Sequence, residues 1–180
     1  GIMVDAHGTW SVREAQRFAR KVEAYDLAWL EEPVSPDNLA GQAEVRAATD
    51  IPIAAGESEQ TRFAFREMLD ARAVDILQPD PAIAGGITEV RTIAGLAASH
   101  GLTVAPHLWG SAILFATGLH LCVSTPCATL VEYSRGHNPL LNDLVEEAIA
   151  FEDGHVLAPT GPGLGLTLRR DFVERVRVAV

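Results

Sequence analysis

One unit recurs along the chain: a short apolar run that ends near a polar residue, then a turn, then an amphipathic stretch. Six such runs are present, at residues 2–5, 28–31, 53–57, 75–78, 103–105 and 129–132. After the first run, residues 12–25 place apolar or small side chains at the spacing of a helix, and a similar pattern follows Gly85-Gly86 and extends to Ser99. Asp37 or Asn38 can cap the helix after the second run. Strands that alternate with helices predict a parallel sheet built from βαβ units.

Each run has a polar residue at its end or just beyond it, and these residues are evenly spaced. Successive members are separated by 23 to 27 residues, which is about one strand and one helix. The spacing therefore predicts that they share the carboxyl end of one sheet, where (β/α)₈ barrels carry their active sites. An open doubly wound sheet is the alternative, and it would spread these groups along an edge. The six residues are Asp5, Glu31, Glu57, Asp80, His107 and Glu132.

The chain is long enough for part of such a barrel. A complete barrel typically needs about 250 residues, whereas the 180-residue sequence contains six units. We expect residues 1–145 to form the barrel portion that carries the functional groups, with two strands and anything before them outside the chain. Residues 146–180 differ, because short apolar runs at 156–159 and 166–168 flank a loop rich in glycine and proline. This pattern predicts a C-terminal tail of short strands.

Three carboxylates on successive strand ends predict a metal site. Asp5, Glu31 and Glu57 would repel one another, by about 4 kcal/mol for a pair at 4 Å and an effective dielectric of 20. A divalent cation relieves that repulsion, and oxygen ligands without cysteine or histidine favour Mg²⁺ over Zn²⁺ or copper. The alternative is that each carboxylate only caps a loop or a helix.

The next two strand ends predict a base. His107 follows Pro106, and Asp80 lies one unit earlier, so that a carboxylate on the adjacent strand can fix the imidazole tautomer and raise its basicity. We interpret His107 as a general base paired with Asp80, against the alternative of a structural histidine. Glu132 closes the series. In a poorly solvated site it could stay neutral and donate a hydrogen bond to a developing oxyanion; otherwise it anchors a loop.

Charge and composition exclude several classes of function. The formal net charge is −10, and no basic cluster is longer than the pair Arg169-Arg170, so nucleic acid and anionic membrane are poor partners. The most apolar stretch, residues 113–123, is far shorter than the roughly 20 residues that a membrane span needs. Cys122 and Cys127 stand among apolar residues and are expected to be reduced. We therefore expect a cytoplasmic protein.

Five motifs of the chain together resemble the mandelate racemase branch of the enolase superfamily, over essentially the whole length. The resemblance implies that Asp5, Glu31 and Glu57 hold Mg²⁺ and that the His107–Asp80 dyad moves the proton α to a carboxylate. It further implies that Glu132 binds the substrate carboxylate or its enediolate, and that the tail packs toward an N-terminal capping domain outside this chain. The motifs are Val4-Asp5-Ala6-His7-Gly8, Trp29-Leu30-Glu31-Glu32-Pro33, Ala55-Gly56-Glu57, Gln78-Pro79-Asp80 with Gly85-Gly86, and Ala105-Pro106-His107.

The lysine content limits which branches of the superfamily the chain can resemble. Lys21 is the single lysine and falls in the middle of a predicted helix. Muconate-lactonizing and dipeptide-epimerase relatives use a lysine on the strand that here carries Asp80, so the resemblance to those branches is weak. In those members of the racemase branch that have a second base, it lies on the second barrel strand, which is expected to be outside this chain. One-base and two-base chemistry therefore both stay open.

Two local features bear on the substrate. His7 occupies the position where galactonate-dehydratase-like enzymes carry a histidine acid; the alternative is a loop histidine that only hydrogen-bonds substrate or backbone. The segment His107-Leu108-Trp109-Gly110 resembles galactarolactone cycloisomerase, which usually has Asn at the His7 position. We expect Trp109, His7 and Glu132 to contact a polyhydroxy acid rather than an aromatic acid.

The resemblance and the residues together predict a Mg²⁺-dependent acid-sugar dehydratase. A lactone cycloisomerase or a racemase is the alternative within the family, and a catalytically incompetent truncated barrel is the alternative of another class. An aldolase-type metal barrel is disfavoured, because no lysine stands at a strand end. The expected partners are a small sugar acid and further copies of the chain in a homo-oligomer.

Overall fold

Five short parallel strands follow one another both in sequence and in the sheet, in the order β1-β2-β3-β4-β5. The computed structural model describes residues 1–178. Its strands are β1 (Met3–Asp5), β2 (Trp29–Glu31), β3 (Ile53–Ala55), β4 (Ile76–Leu77) and β5 (Thr103–Val104). The helices between and after them are α1 (Val12–Val22), α2 (Leu39–Arg46), α3 (Thr61–Asp70), α4 (Pro81–Ala84), α5 (Ile87–Ser99) and α6 (Ala112–Ser124). The order never reverses, which is the arrangement of a barrel and excludes the doubly wound alternative.

The predicted helix starts are confirmed in detail. Ser11 caps α1 in a capping box with Glu14, a motif that satisfies two backbone donors at once. Asn38 caps α2 by accepting from the Gly41 amide at 3.0 Å. Gly86 stands at the N-cap of α5, with φ at +89°, a backbone conformation that favours glycine.

The pleat of the sheet separates a helix-facing side from an inner side. On β2, Leu30 is completely buried and packs with Ala15 and Ala19 of α1, whose small side chains let the helix approach the sheet closely. Trp29 and Glu31 lie on the opposite face of the same strand. Full burial of a side chain such as Leu30 stabilises the fold by about 1.5–3 kcal/mol, so the register of each strand is fixed by its helix-facing residues.

One layer of side chains fills the inner side of the sheet. Trp29 contributes the largest member, and it packs against Ala54 of β3, Ile76 of β4 and Ala105 just past β5. The two alanines leave the space that the indole occupies. This set, called the inner layer below, lies directly beneath the strand ends that carry the polar residues.

The sixth predicted strand is the main difference from expectation. Residues 129–132 are not a strand; this segment joins the sheet through a single parallel bridge between Val104 and Ala128. The Val104 amide donates to the Cys127 carbonyl at 2.9 Å, and the Thr129 amide donates to the Val104 carbonyl at 3.2 Å. Two bonds of this kind continue the parallel pattern for one step only, so the sixth unit follows the barrel path without a regular ladder.

Beyond α6 the described chain forms one short antiparallel pair of strands and two short helices that the strand pattern did not predict. They are α7 (Pro139–Asn142), the antiparallel pair β6 (Phe151–Glu152) and β7 (His155–Val156), and α8 (Arg170–Val176). The predicted strand at 166–168 is reduced to an isolated bridge between Val145 and Leu168. Both cysteines are free thiols, as expected. Within residues 1–178, no helix combines the length and apolar character needed to cross a bilayer.

Candidate active site

The turns that leave the first three strands share an unusual backbone. His7, Glu32 and Gly56 have φ values of +48°, +34° and +129°, all in the left-handed region. Such conformations cost about 1–2 kcal/mol for residues with a Cβ and cluster at functional sites. At Gly56 a Cβ would also meet the Phe65 ring at 2.7 Å, so only glycine fits there. These sharp turns hold the side chains that follow at the rim of the sheet.

Two of the predicted metal ligands are direct neighbours in the sheet. Asp5 and Glu31 are paired in the parallel register of β1 and β2. The indole N–H of Trp29 donates to Oε2 of Glu31 at 3.0 Å. Burial raises the pKa of Glu31; hydrogen bonds from Gln78 and Trp29 oppose the rise, while the charges of Asp5 and Glu132 add to it. The Glu31 carboxylate is thus partly buried and lies close to two other carboxylates.

Glu57, the third predicted ligand, lies between two histidines. Its Oε2 is 3.7 Å from Nε2 of His107, and its Oε1 is 3.5 Å from Nδ1 of His7. Burial raises the pKa of Glu57, the two histidines oppose the rise, and Glu31 and Asp5 reinforce it. The site therefore brings a histidine to each side of one carboxylate.

The predicted dyad of His107 and Asp80 is present as a hydrogen bond. Nδ1 of His107 is 2.7 Å from Oδ2 of Asp80, which is buried, and Oδ1 of Asp80 accepts from the Ala82 amide at 2.7 Å. Asp80 is thereby fixed as the N-cap of α4 while it orients the imidazole. Burial alone would lower the pKa of His107, but the bond to Asp80 and the charges of Glu132, Glu57 and Asp80 raise it on balance.

Glu132 and Trp109 both lie at the rim, where Glu132 accepts a backbone hydrogen bond and Trp109 is mostly exposed. Oε2 of Glu132 accepts from the Leu108 amide at 3.3 Å, which places the carboxylate beside His107 even though the sixth strand is irregular. The Glu132 side chain is exposed, so the poor solvation that a neutral form would require is not provided by the described residues. Trp109 is 66% exposed. The loop that carries it is tied down by Asn138, whose amide donates to the Gly110 carbonyl at 2.8 Å.

Glu32 is a site residue that the sequence analysis did not single out. It is only 3% exposed, and its Oε1 has no hydrogen-bond partner among the described residues. Burial, followed by repulsion from Glu57 and Asp5, raises its pKa to about 7. The one available signal was the doubled glutamate of residues 31–32. Strand alternation assigns the second glutamate to the helix side, whereas the left-handed turn directs it toward the rim.

The donor set at this rim suits a divalent cation. Within residues 1–178, ligand atoms of His7, Glu32 and Glu57 lie within 4.8 Å of one another, whereas Asp5 and Glu31 stand outside that grouping. Burial is the main cause of the raised pKa values of Glu31 and Glu57, and the negative charges of neighbouring carboxylates add to the rise. Mg²⁺ prefers carboxylate oxygens and would neutralise that charge. The residues present therefore fit such an ion.

The family assignment follows from comparison with known proteins. A model of the family described as "Enolase C-terminal domain-like" matches residues 1–172. The chain belongs to this family. The enolase-family barrel accounts for the sequential parallel sheet and for the polar residues at its carboxyl rim.

Relatives in the enolase superfamily include sugar-acid dehydratases and cycloisomerases. The chain is 36% identical over 185 residues to D-galactarolactone cycloisomerase of Agrobacterium fabrum, covering 98% of this chain and 49% of that protein. It is 38% identical over 173 residues to D-xylonate dehydratase of Haloferax volcanii, covering 96% and 42%. The chain thus spans about half the length of the curated relatives it matches.

A solved enolase structure bears on the metal. An enolase from Bradyrhizobium, complexed with magnesium and mandelic acid, superposes with a TM-score of 0.88 at 34% identity, covering 98% of this chain and 46% of that one. Binding of magnesium is thus documented within the same fold and family.

Proposed function

We propose that this chain supplies the metal-binding and proton-transfer half of a Mg²⁺-dependent acid-sugar dehydratase. The observation that carries the proposal is the position of Glu57 between His107 and His7. One histidine is backed by Asp80, as a base requires, and the other faces it across a carboxylate proposed to bind the metal. A dehydratase needs two such groups, one to remove a proton and one to protonate a leaving oxygen.

The metal site is proposed from Asp5, Glu31 and Glu57. Mg²⁺ held by their oxygens would bind the substrate carboxylate and offset the charge that develops as the α-proton is lost. Glu132, beside the Leu108 amide, is proposed to contact the same carboxylate group of the substrate. Trp109, exposed at the rim, is proposed to lie against the polyhydroxy chain of the substrate.

The proposed reaction uses the two histidines in turn. Nε2 of His107 accepts the α-proton, and the electron pair of the broken C–H bond forms an enediolate. That pair then forms the α,β double bond as the β-C–O bond breaks, and His7 donates a proton to the departing oxygen, which leaves as water. The product is an enol that becomes a 2-keto-3-deoxy acid. No external oxidant or reductant is required.

The decisive variant is His7→Asn in the full-length protein that contains this chain. His7 has φ at +48°, a conformation that Asn tolerates better than most residues, so the variant should fold. If His7 is the acid, dehydration of galactonate or galactarate should fall by at least about 100-fold. Exchange of the α-proton with D₂O through His107 should continue. Dehydration at the wild-type rate would remove the acid role from His7.

A cycloisomerase is the second candidate, favoured by the similarity to D-galactarolactone cycloisomerase. Such an enzyme expels a ring oxygen, and the same His7→Asn variant should then retain turnover of galactarolactone. A matched assay with galactonate, galactarate and galactarolactone separates the two functions. If the wild-type protein turns over no acid sugar and exchanges no α-proton, the catalytic proposal fails and a non-catalytic barrel takes its place.

A further inference from the structure

The carboxylate of Glu31 accepts a hydrogen bond from the indole of Trp29, which lies in the inner layer. Trp29 and Glu31 are two residues apart on β2 and therefore lie on the same inner face. Nε1 of Trp29 donates to Oε2 of Glu31 at 3.0 Å. The side-chain amide of Gln78, on the loop after β4, adds a second hydrogen-bonding group near the same carboxylate. The indole thus fixes the direction of Oε2, and with it the orientation of the whole Glu31 carboxylate.

The indole itself has little freedom to move. Trp29 is only 6% exposed, and in the inner layer it packs between Ala54, Ile76 and Ala105. Close packing holds this large, rigid ring in one orientation, and the direction of its single N–H donor is therefore fixed as well. The hydrogen bond to Glu31 is thus a consequence of the barrel core.

We propose that Trp29 is a positioning residue for the metal site, which orients the Glu31 carboxylate toward the cation through the hydrogen bond to its Oε2. This inference rests on the proposed function in one respect, that Glu31 binds Mg²⁺. Residues that hydrogen-bond a metal ligand typically contribute 10–100-fold to metal affinity. The inference assigns that contribution to a side chain that touches neither metal nor substrate.

The first experiment measures Mg²⁺ affinity by calorimetry in the full-length protein, for wild type, Trp29→Phe and Trp10→Phe. Phe keeps an aromatic ring in the inner layer but cannot donate a hydrogen bond. Trp29→Phe should bind Mg²⁺ about 10–100-fold more weakly. Trp10→Phe is the matched control, because Trp10 packs on Phe18 at the helix side of the sheet, and its affinity should stay at the wild-type value. Equal affinities for both variants would overturn the inference.

A second measurement follows the indole directly in the wild-type protein. The indole N–H resonance of Trp29 is assigned through its own backbone amide by triple-resonance experiments on uniformly labelled protein. Mg²⁺ should shift this resonance at the same concentration that saturates the calorimetric signal. A resonance that does not respond to saturating Mg²⁺ would contradict the inference, whatever the folding of Trp29→Phe. If the wild-type protein binds no Mg²⁺ at all, the proposed function fails first, which distinguishes the two failures.

Discussion

Nδ1 of His107 lies 2.7 Å from Oδ2 of Asp80, although the two residues are 27 positions apart in the sequence. Asp80 is buried and also caps α4, so that neither of its oxygens is free to turn toward solvent. The pair therefore leaves Nε2 of His107 as the one ring nitrogen that faces the rim. The direction from which Nε2 can accept a proton is therefore fixed.

Replacing either member of the dyad should separate proton transfer from metal binding. His107→Asn in the full-length protein should abolish turnover while Mg²⁺ affinity changes by less than about threefold. Asp80→Asn should lower the His107 pKa, because a hydrogen bond and a negative charge that raise it are lost. The base is active when deprotonated, so the acidic limb of the rate profile should shift to lower pH, with a reduced plateau. Stopped-flow rates from pH 5 to 9 test this, and an unshifted limb would contradict it.

Removing one negative charge from the proposed metal site should weaken Mg²⁺ binding without unfolding the barrel. We expect Glu57→Gln to lose at least about tenfold in Mg²⁺ affinity by calorimetry, because one anionic ligand is replaced by a neutral one. Glu59→Gln, two residues further on, serves as the control, since Glu59 is not among the proposed ligands. Unchanged affinity for Glu57→Gln would refute the proposed three-carboxylate site.

Glu32 should make the metal-free protein less stable as the pH rises. Its pKa of about 7 in the folded state is above its ordinary value of 4.5, so the folded state binds the proton more tightly and loses stability between these two pH values. Glu32→Gln should therefore stabilise the protein at pH 8 in EDTA, by about 1–2 kcal/mol after allowance for solvent at the open rim. The gain should vanish near pH 4. Urea unfolding of this variant, alongside the exposed control Glu44→Gln, provides the measurement.

The ion pair between Arg62 and Glu89 should give the opposite dependence on pH. Arg62 of α3 donates from its side chain and from its backbone amide to the Glu89 carboxylate of α5, and the pKa of Glu89 is lowered to about 2. The stability contributed by this pair is present above the ordinary pKa of 4.5 and is lost as the pH falls toward 2. Glu89→Gln should therefore be less stable than wild type at pH 6 and equal to it near pH 2. Glu174→Gln, which loses an exposed pair with Arg177, should match wild type throughout thermal unfolding at each pH.

Much of the rim could be predicted from spacing, because parallel strands in units of nearly constant length bring their ends together. Asp5 and Glu31 are placed by strand register, and Asp80 and His107 lie just past the ends of neighbouring strands, where a hydrogen bond joins them. The partners of Glu57 depend on side-chain direction after a glycine turn, which no periodicity reveals. Glu32 was missed for a related reason: alternation holds within a strand, and the left-handed residue that ends β2 breaks it.

The sixth unit shows a different limit of sequence reasoning. Residues 129–132 have the composition of a strand, yet the isolated bridge to Val104 is made by Ala128, the residue just before them. A strand ladder requires a partner along its length, and composition cannot supply one. Glu132 nevertheless reaches the rim, because its bond to the Leu108 amide does not depend on a regular ladder.

In the inner layer, the volume that Trp29 fills and the hydrogen bond that it donates are two separate requirements. Trp29 fills space that Ala54 and Ala105 leave open, so an exchange such as Trp29→Ala with Ala54→Trp would keep the summed volume nearly constant. The exchanged protein could retain a dense core, yet its indole would hang from a different strand and no longer lie two residues before Glu31. Many side-chain combinations could fill this core equally well, but few of them place a hydrogen-bond donor under that carboxylate. A redesign that optimises packing alone would therefore be expected to erode metal affinity before it erodes the melting temperature.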